Sequence, residues 1–423
     1  MEKLVLLEVI IGLIILCPCL KQDWSSPAVL NMLWNSVFIV LAVVLFGSSI
    51  QWKYGGIIWI LLSCIFFLIG QMIGECLSDK KVNYIVQDRS GMTNLVPFAI
   101  VCLIFIGMLN PIIYLRAFGY SVSDIFNVNA LLSINATIAS DRYSGNGFES
   151  GMVVMIGAIS YCAALCGGYM FAYCKRWYTK ILMIATVVPM IILTIITNAK
   201  VGTIAVAFLW ITGWIISYLE RNRKGIHVSK RLFICIVGGG IVFFVLLYLS
   251  MMLRIGSLDK TTKLIVDKKM QEYALGHIEA FTEWFHLGDY FKYEMGANTF
   301  MVFARYLGLT QRAQGVYDAL TGVSSNIFTQ NRGIIQDFGM VGGLLFWIVF
   351  GIIAGWCYKR VKQGERKNKG SMTVLAIIYF SILYGFIISP WIYTSYVAAI
   401  IGFWGFLWIL DLVKLSIVRG NNI

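Results

Sequence analysis

Runs of apolar residues, each about 20 long, recur along most of this chain and constrain its fold more than any other feature. An α-helix needs roughly 20 such residues to cross the hydrocarbon core of a bilayer. Strands of a membrane barrel would alternate apolar and polar residues, which these runs do not. The sequence therefore predicts an all-α, polytopic membrane helix bundle of about 11 spans. The predicted spans are residues 3–20, 28–49, 55–74, 94–115, 151–174, 179–197, 201–219, 231–253, 334–357, 371–389 and 392–412.

The composition agrees with one integral membrane domain that covers residues 1–423. Hydrophobic residues make up 59% of the chain and charged residues only 13%, about half the charged share of a soluble globular protein. Gly339-x3-Gly343 and Gly351-x3-Gly355 have the spacing of small residues at which membrane helices approach closely. We therefore expect close helix packing in the last third of the chain.

Positive charge is concentrated in three short connectors between spans. The net charge is +13, which by itself would be compatible with binding to nucleic acid. However, 14 of the 34 Lys and Arg residues lie in Lys175–Lys180, Arg221–Arg231 and Lys359–Lys369. This is the pattern of cytoplasmic loops, so we expect a lipid bilayer and no nucleic acid as the partner. Alternation of the spans then places residues 116–150 and 254–330 outside.

The larger external loop, residues 254–330, is polar and charge-balanced, unlike the rest of the chain. Within it, Thr261–Tyr293 is predicted to form an amphipathic helix or helix pair. Docking on the membrane or bundle is the first interpretation of its apolar stripe, and stacking on sugars is the second. The stripe contains Ile265, Tyr273, Ile278, Phe281, Trp284 and Phe285.

Six cations are predicted at the external membrane edges. Arginine forks match the oxygens of phosphate in pairs, and they would stabilise a departing pyrophosphate without a metal or another cofactor. Lys200 lies between two apolar runs, where it either extends to the interface or faces inward and binds an anion. The six are Arg142, Lys200, Arg254, Arg305, Arg312 and Arg332.

Transfer of a sugar would also require a base that takes a proton from the acceptor hydroxyl. His277 is the first candidate, because it neighbours Gly276 and the aromatic stripe. Asp337 could equally form a structural ion pair with Arg332, five residues before it. The full candidate set is His277, Glu279, Glu283, His286 and Asp337.

Several short segments, together with the external loop, resemble the Wzy-type O-antigen (oligosaccharide repeat-unit) polymerases. The resemblance is carried by Asn198-Ala199-Lys200-Val201-Gly202, Tyr273-x2-Gly276-His277-Ile278-x2-Phe281-x2-Trp284, Gly296-x-Asn298-Thr299-Phe300, Ser325-Asn326-Ile327-Phe328-Thr329 and Asp337-Phe338-Gly339. Its residue-level content is concentrated between residues 197 and 343. This chain has Lys200 where the related ligases tend to have arginine.

The resemblance implies a GT-C-type glycosyltransferase at the periplasmic face of a Gram-negative inner membrane. Such an enzyme moves a glycan from undecaprenyl pyrophosphate onto a second lipid-linked repeat unit, and a flippase and a chain-length regulator act with it. The external loops would then be periplasmic. The expected catalytic residues are His277, Glu279, Arg332 and Asp337, and Asn326 joins the other five cations in binding substrate.

Three other functions remain open from the sequence. An O-antigen ligase would use the same chemistry with lipid A-core as acceptor. A flippase or transporter for the lipid-linked glycan would place charges in the middle of broken helices and often contain two related halves, and neither feature is evident here. A membrane scaffold without chemistry is the fourth possibility, and the external cations beside candidate bases argue against it.

Overall fold

The computed structural model describes most of the chain, and every described helix supports the predicted all-α class. Thirteen α-helices and two short 3₁₀ turns occur in the described ranges, and none of these residues forms a strand. The described residues are 23–46, 52–78, 95–143, 151–226, 260–288, 294–311, 329–364 and 368–420, with a few isolated positions between them. The helices are α1 (Pro27–Phe46), α2 (Tyr54–Leu77), α3 (Leu95–Ala117), α4 (Val128–Tyr143), α5 (Gly151–Phe171), α6 (Trp177–Ala185), α7 (Val188–Thr197), α8 (Lys200–Asn222), α9 (Lys260–Leu287), α10 (Met301–Tyr306), α11 (Gln330–Gln363), α12 (Lys369–Tyr384) and α13 (Thr394–Gly420).

Eight helical segments among the described residues are long and apolar enough to cross a membrane. They coincide with eight of the predicted spans and make this a multi-pass membrane protein. The predicted span 371–389 corresponds to α12, an apolar helix of only 16 residues. The predicted spans 3–20 and 231–253 lie largely outside the described residues. The total of about 11 spans therefore stays a prediction.

The segment predicted as one span at 179–197 is interrupted. Helix α6 ends at Ala185 and α7 begins at Val188, with Pro189 in the first turn of α7. Proline has no N–H to donate to the preceding turn, and its ring clashes with the carbonyl four residues earlier. The interruption follows from that single residue.

Contacts between Cα atoms divide the chain into two compact units. The first unit contains Met1–Val86, Tyr218–His227 and Lys269–Tyr393. The second unit contains Gln87–Ser217, Val228–Lys268 and Thr394–Ile423.

Helices α2 and α11 of the first unit cross at glycines, as the spacing in the last third predicts. A Cβ atom on Gly74 would lie 2.0 Å from the carbonyl oxygen of Ile352, and one on Gly355 would lie 2.1 Å from that of Gln71. The close packing expected at Gly351-x3-Gly355 is confirmed. Gly339 has a different role, because its φ of 73° and ψ of 177° interrupt α11.

In the second unit, α5 and α8 also cross at glycines. A Cβ on Gly168 would lie 1.9 Å from the carbonyl oxygen of Trp210, and one on Gly213 would lie 2.2 Å from that of Leu165. Backbones can approach this closely only where side chains are absent.

Helix α9 is the amphipathic helix predicted in the larger external loop, and it is docked. Ile278, Phe281 and Trp284 are almost completely buried, and the ring of Phe281 packs against Trp59 of α2 at 6.4 Å between centroids. Docking, the first interpretation of the stripe, is therefore confirmed for these three residues. The side chains of Ile265 and Tyr273 lie outside the described set.

Candidate functional site

The first turns of α11 carry a group of polar side chains that are buried although the helix continues into a membrane span. We call this group, together with three buried polar residues from other segments of the first unit, the polar cluster. Arg332 is only 3% exposed and Asp337 only 2%. The polar cluster consists of Thr329, Gln330, Asn331, Arg332, Gln336 and Asp337 of the α11 end, with His277, Asn298 and Thr299, and all nine are buried.

Asp337 holds the turn that precedes α10. One carboxylate oxygen accepts hydrogen bonds from the backbone N–H of Asn298 at 3.0 Å and from its side-chain amide at 2.9 Å. The other oxygen accepts from the backbone N–H of Thr299 at 2.6 Å. The hydroxyl of Ser389 donates to the carbonyl of Thr299 at 2.7 Å. The carboxylate is thus engaged with this turn, and the pairing of Asp337 with Arg332 stays a prediction.

The N-terminus of α11 is buried without a side-chain cap. The N–H of Gln330 donates to the carbonyl of Gly385 at 2.7 Å, and the N–H of Arg332 donates to that of Thr329 at 3.0 Å. The hydroxyl of Thr329, at the N-cap position, makes no capping bond. Buried helix ends normally have such partners, so this end of α11 has the features of a place for a ligand.

Several buried polar atoms here have no hydrogen-bond partner among the described residues. A buried donor or acceptor without a partner costs about 1–3 kcal/mol, and unsatisfied groups in native proteins are rare. Five such atoms in one cluster are therefore informative. They are Nδ1 of His277, Oγ1 of Thr299, Oγ1 of Thr329, Oδ1 of Asn331 and Oε1 of Gln336.

Arg332 brings a buried positive charge to the same end of the helix. Its guanidinium lies 5.3 Å from the centre of the Trp284 ring, an arrangement in which the ring face attracts the cation. The residue has other interactions as well, but Nε and Nη1 donate no hydrogen bond to any atom of the described residues. A cation beside a positive helix end is a strongly anion-binding arrangement.

His277 lies in an aromatic environment. It is 1% exposed, and its ring packs edge-on against Phe38 at 4.9 Å and against Phe386 at 5.3 Å. Burial lowers the pKa of His277 to about 3, and a contact with the carbonyl of Ala274 offsets only part of this effect. The imidazole is therefore neutral near pH 7 and, without a ligand, a weak base.

The position of His277 still links it to the end of α11. Phe386, which contacts the imidazole, follows Gly385, whose carbonyl binds the first N–H of α11. Trp284, which contacts Arg332, lies seven residues after His277 and so on the same face of α9, about 10 Å along the axis. Helix α9 therefore carries the candidate base and the aromatic partner of the cation on one buried face.

Glu279 lies on a different face of α9. At 100° per residue it projects roughly opposite to His277 and Trp284 and shares its side of the helix with Glu272 and Glu283. Its pKa is raised, first by burial and then by repulsion from those two carboxylates. Glu279 is thus the better base by pKa, and His277 is the better one by position.

Of the other predicted cations, the structure describes the side chains of Arg305 and Lys200. Arg305 is exposed on α10. Lys200 belongs to the second unit, is half-buried and donates to the side chain of Asn198 at 3.2 Å. The side chain of Arg142, and all of Arg254, Arg312 and Asn326, lie outside the described residues.

Sequence reasoning missed part of the polar cluster. The span was predicted to begin at residue 334, so Thr329 and Asn331 were treated as loop residues, whereas α11 begins at Gln330. The sequence assigns Trp284 to docking or to sugar stacking and does not predict its contact with Arg332. The signal that could have found them is the polar run Thr329–Arg332 immediately before an apolar span.

No protein-family model, curated protein or solved structure matches this chain.

Proposed function

We propose that the protein is an O-antigen polymerase, a glycosyltransferase that joins undecaprenyl-pyrophosphate-linked repeat units at the periplasmic face of a Gram-negative inner membrane. The observation that carries the proposal is the buried, uncapped N-terminus of α11 with Arg332 beside it. The membrane character of the chain and the family resemblance of its external segments supply the substrate class.

A pyrophosphate carries the negative charge and the acceptor oxygens that suit a cation beside a helix N-terminus. Phosphate oxygens accept from both nitrogens of an arginine fork, and a helix N-terminus favours negative charge by about 0.3–1 kcal/mol even when exposed. The hydroxyl of Thr329 and the amide of Asn331 add donors that can turn toward the same oxygens. Together they would bind the diphosphate of the donor lipid.

The reaction breaks the bond between the anomeric carbon of the donor sugar and the pyrophosphate oxygen. A hydroxyl of the acceptor glycan forms the new bond to that carbon. The electron pair of the broken bond remains on the pyrophosphate, where Arg332 and the helix end stabilise the growing charge. The hydroxyl proton passes to a base, and the undecaprenyl pyrophosphate leaves as an anion.

His277 is the base that we propose. Burial of the ring is what lowers its pKa to about 3. A bound pyrophosphate nearby would favour the protonated imidazole and raise this pKa. The imidazole would therefore become a competent base only with the donor in place, which limits wasteful reaction with water.

Deletion of the gene in its source strain, followed by a gel of the surface lipopolysaccharide, tests the proposal. We expect the ladder of polymer lengths to collapse to lipid A-core with one repeat unit, and the full-length gene to restore the ladder. Bare core would instead identify a ligase. An unchanged ladder would exclude both glycosyltransferase functions. The deletion strain is also complemented with Arg332→Ala, and Lys269→Ala, which removes an exposed cation of α9, is the matched control.

A further inference from the structure

A pocket of about 460 Å³ opens at the C-terminal end of α11. Helix α11 rises about 36 Å between Gly339 and Gln363, at 1.5 Å per residue, which is close to the thickness of the hydrocarbon core. The pocket and the polar cluster therefore belong to opposite surfaces of the membrane. The pocket is lined by Glu75, Arg223, Tyr358, Lys359, Lys362 and Gln363.

Three cations line this pocket against one carboxylate, and internal contacts fix their positions. The ammonium of Lys359 donates to the carbonyl of Glu75 at 2.8 Å. The ammonium of Lys362 donates to the buried carboxylate of Asp23 at 2.6 Å and to the hydroxyl of Tyr358 at 3.2 Å. An ammonium has three N–H groups, so Lys362, which is partly exposed, keeps one for a ligand.

The guanidinium of Arg223 lies beside a glycine. Gly364 has φ of 73°, and a Cβ there would lie 3.0 Å from Nε and Nη2 of Arg223. The guanidinium therefore lies against backbone that carries no side chain. With all three cationic groups already positioned, an anion entering the pocket would order few side chains on binding, which favours affinity.

We propose that this pocket binds the phosphate group of an anionic membrane lipid. Leu77, at the end of α2, and Trp356, near the end of α11, are exposed. Side chains that contact lipid are exposed in this way. The guanidinium of Arg360 lies 4.4 Å from the centre of the Trp356 ring, and Trp and Arg gather at membrane interfaces. Basic pockets between membrane helices on the cytoplasmic side bind anionic headgroups, and the connector Lys359–Lys369 is predicted to be cytoplasmic.

Native mass spectrometry of the purified full-length protein tests this proposal. The probes are phosphatidylglycerol, phosphatidylcholine and inorganic phosphate, and the variants are Arg223→Gln and Lys359→Gln. The matched control is Lys224→Gln, which removes an exposed charge next to Arg223 that does not line the pocket. We expect phosphatidylglycerol to bind in preference to phosphatidylcholine, and each pocket variant to weaken it about fivefold, whereas the control leaves binding unchanged.

Three results would overturn the proposal: equal binding of the two lipids, an equal loss in Lys224→Gln, or displacement of the lipid by equimolar inorganic phosphate. Lys359→Gln removes a hydrogen bond to α2, which can lower stability independently of lipid binding. The decisive measurements are therefore the binding of lipid to Arg223→Gln and the number of lipids bound per folded protein. Polymer formation is not part of this measurement. Failure here therefore leaves the proposed reaction untouched, and failure of the reaction leaves lipid binding untouched.

Discussion

The two ends of α11 differ in the hydrogen bonding of the polar groups buried near them. At the C-terminal end, the carboxylate of Asp23 receives hydrogen bonds from the backbone and hydroxyl of Ser25, from Tyr358 and from Lys362. These bonds outweigh the effect of burial, the largest single influence, and lower the pKa of Asp23. At the N-terminal end, Oδ1 of Asn331 and Oε1 of Gln336 are buried without a hydrogen-bond partner among the described residues. The first arrangement stabilises the fold, and the second is the one that we propose to bind the substrate.

The largest effect is expected at Arg332. Arg332→Ala should reduce polymer formation by about 10²–10³-fold, the usual cost of removing one donor that stabilises developing charge. Arg332→Lys keeps the positive charge but loses the planar guanidinium that donates two parallel hydrogen bonds. We therefore expect a rate of polymer formation between those of the wild type and Arg332→Ala. The measurement is the lipopolysaccharide ladder at equal amounts of membrane-inserted protein. Wild-type polymer in Arg332→Ala would show that the N-terminal end of α11 does not bind the substrate.

The second expected effect is on stability at the other end. Asp23→Ala should lower the free energy of unfolding by about 2 kcal/mol, because it leaves Lys362 without its buried partner, and the partial exposure of the lysine limits the cost. Thermal unfolding of purified protein measures this change. The double variant Asp23→Ala with Lys362→Met should recover part of the loss. Activity per folded molecule should not change, and a selective loss of activity would contradict the division between the two ends.

The amino-acid sequence alone predicts the apolar helices and their close crossing, but not the hydrogen bonds of the buried polar groups. Eight spans and the Gly351-x3-Gly355 crossing follow from hydrophobicity and residue size, which act along a single helix. The engagement of Asp337 with Asn298 and Thr299 joins residues almost 40 positions apart, and no local pattern encodes such a pairing. For the same reason the sequence does not single out Asp23, whose partners Tyr358 and Lys362 lie 335 and 339 positions away.

A third effect comes from pH and concerns His277. The unfolded chain binds a proton at this residue below about pH 6.5, whereas the folded protein binds one only near pH 3. Stability is therefore lost as the pH falls from 6.5 towards 3, by about 2 kcal/mol at pH 5. His277→Phe, which suits the aromatic surroundings of Phe38 and Phe386, should flatten this dependence. Melting temperatures at pH 7 and 5 measure it, and parallel curves for both proteins would contradict the buried neutral imidazole.

The smallest effect is expected at Arg305, which sharpens the comparison because its charge equals that of Arg332. Arg305 is exposed on α10, where water already solvates its guanidinium and screens its field. Arg305→Ala should therefore reduce the polymerisation rate by about twofold or less, although the sequence alone groups both arginines as phosphate ligands. The ladder of Arg305→Ala run beside that of Arg332→Ala measures the difference. An equal loss of polymerisation rate in both variants would contradict this expectation. It would mean that an exposed cation of the same unit contributes as much to the reaction as the arginine buried at the end of α11.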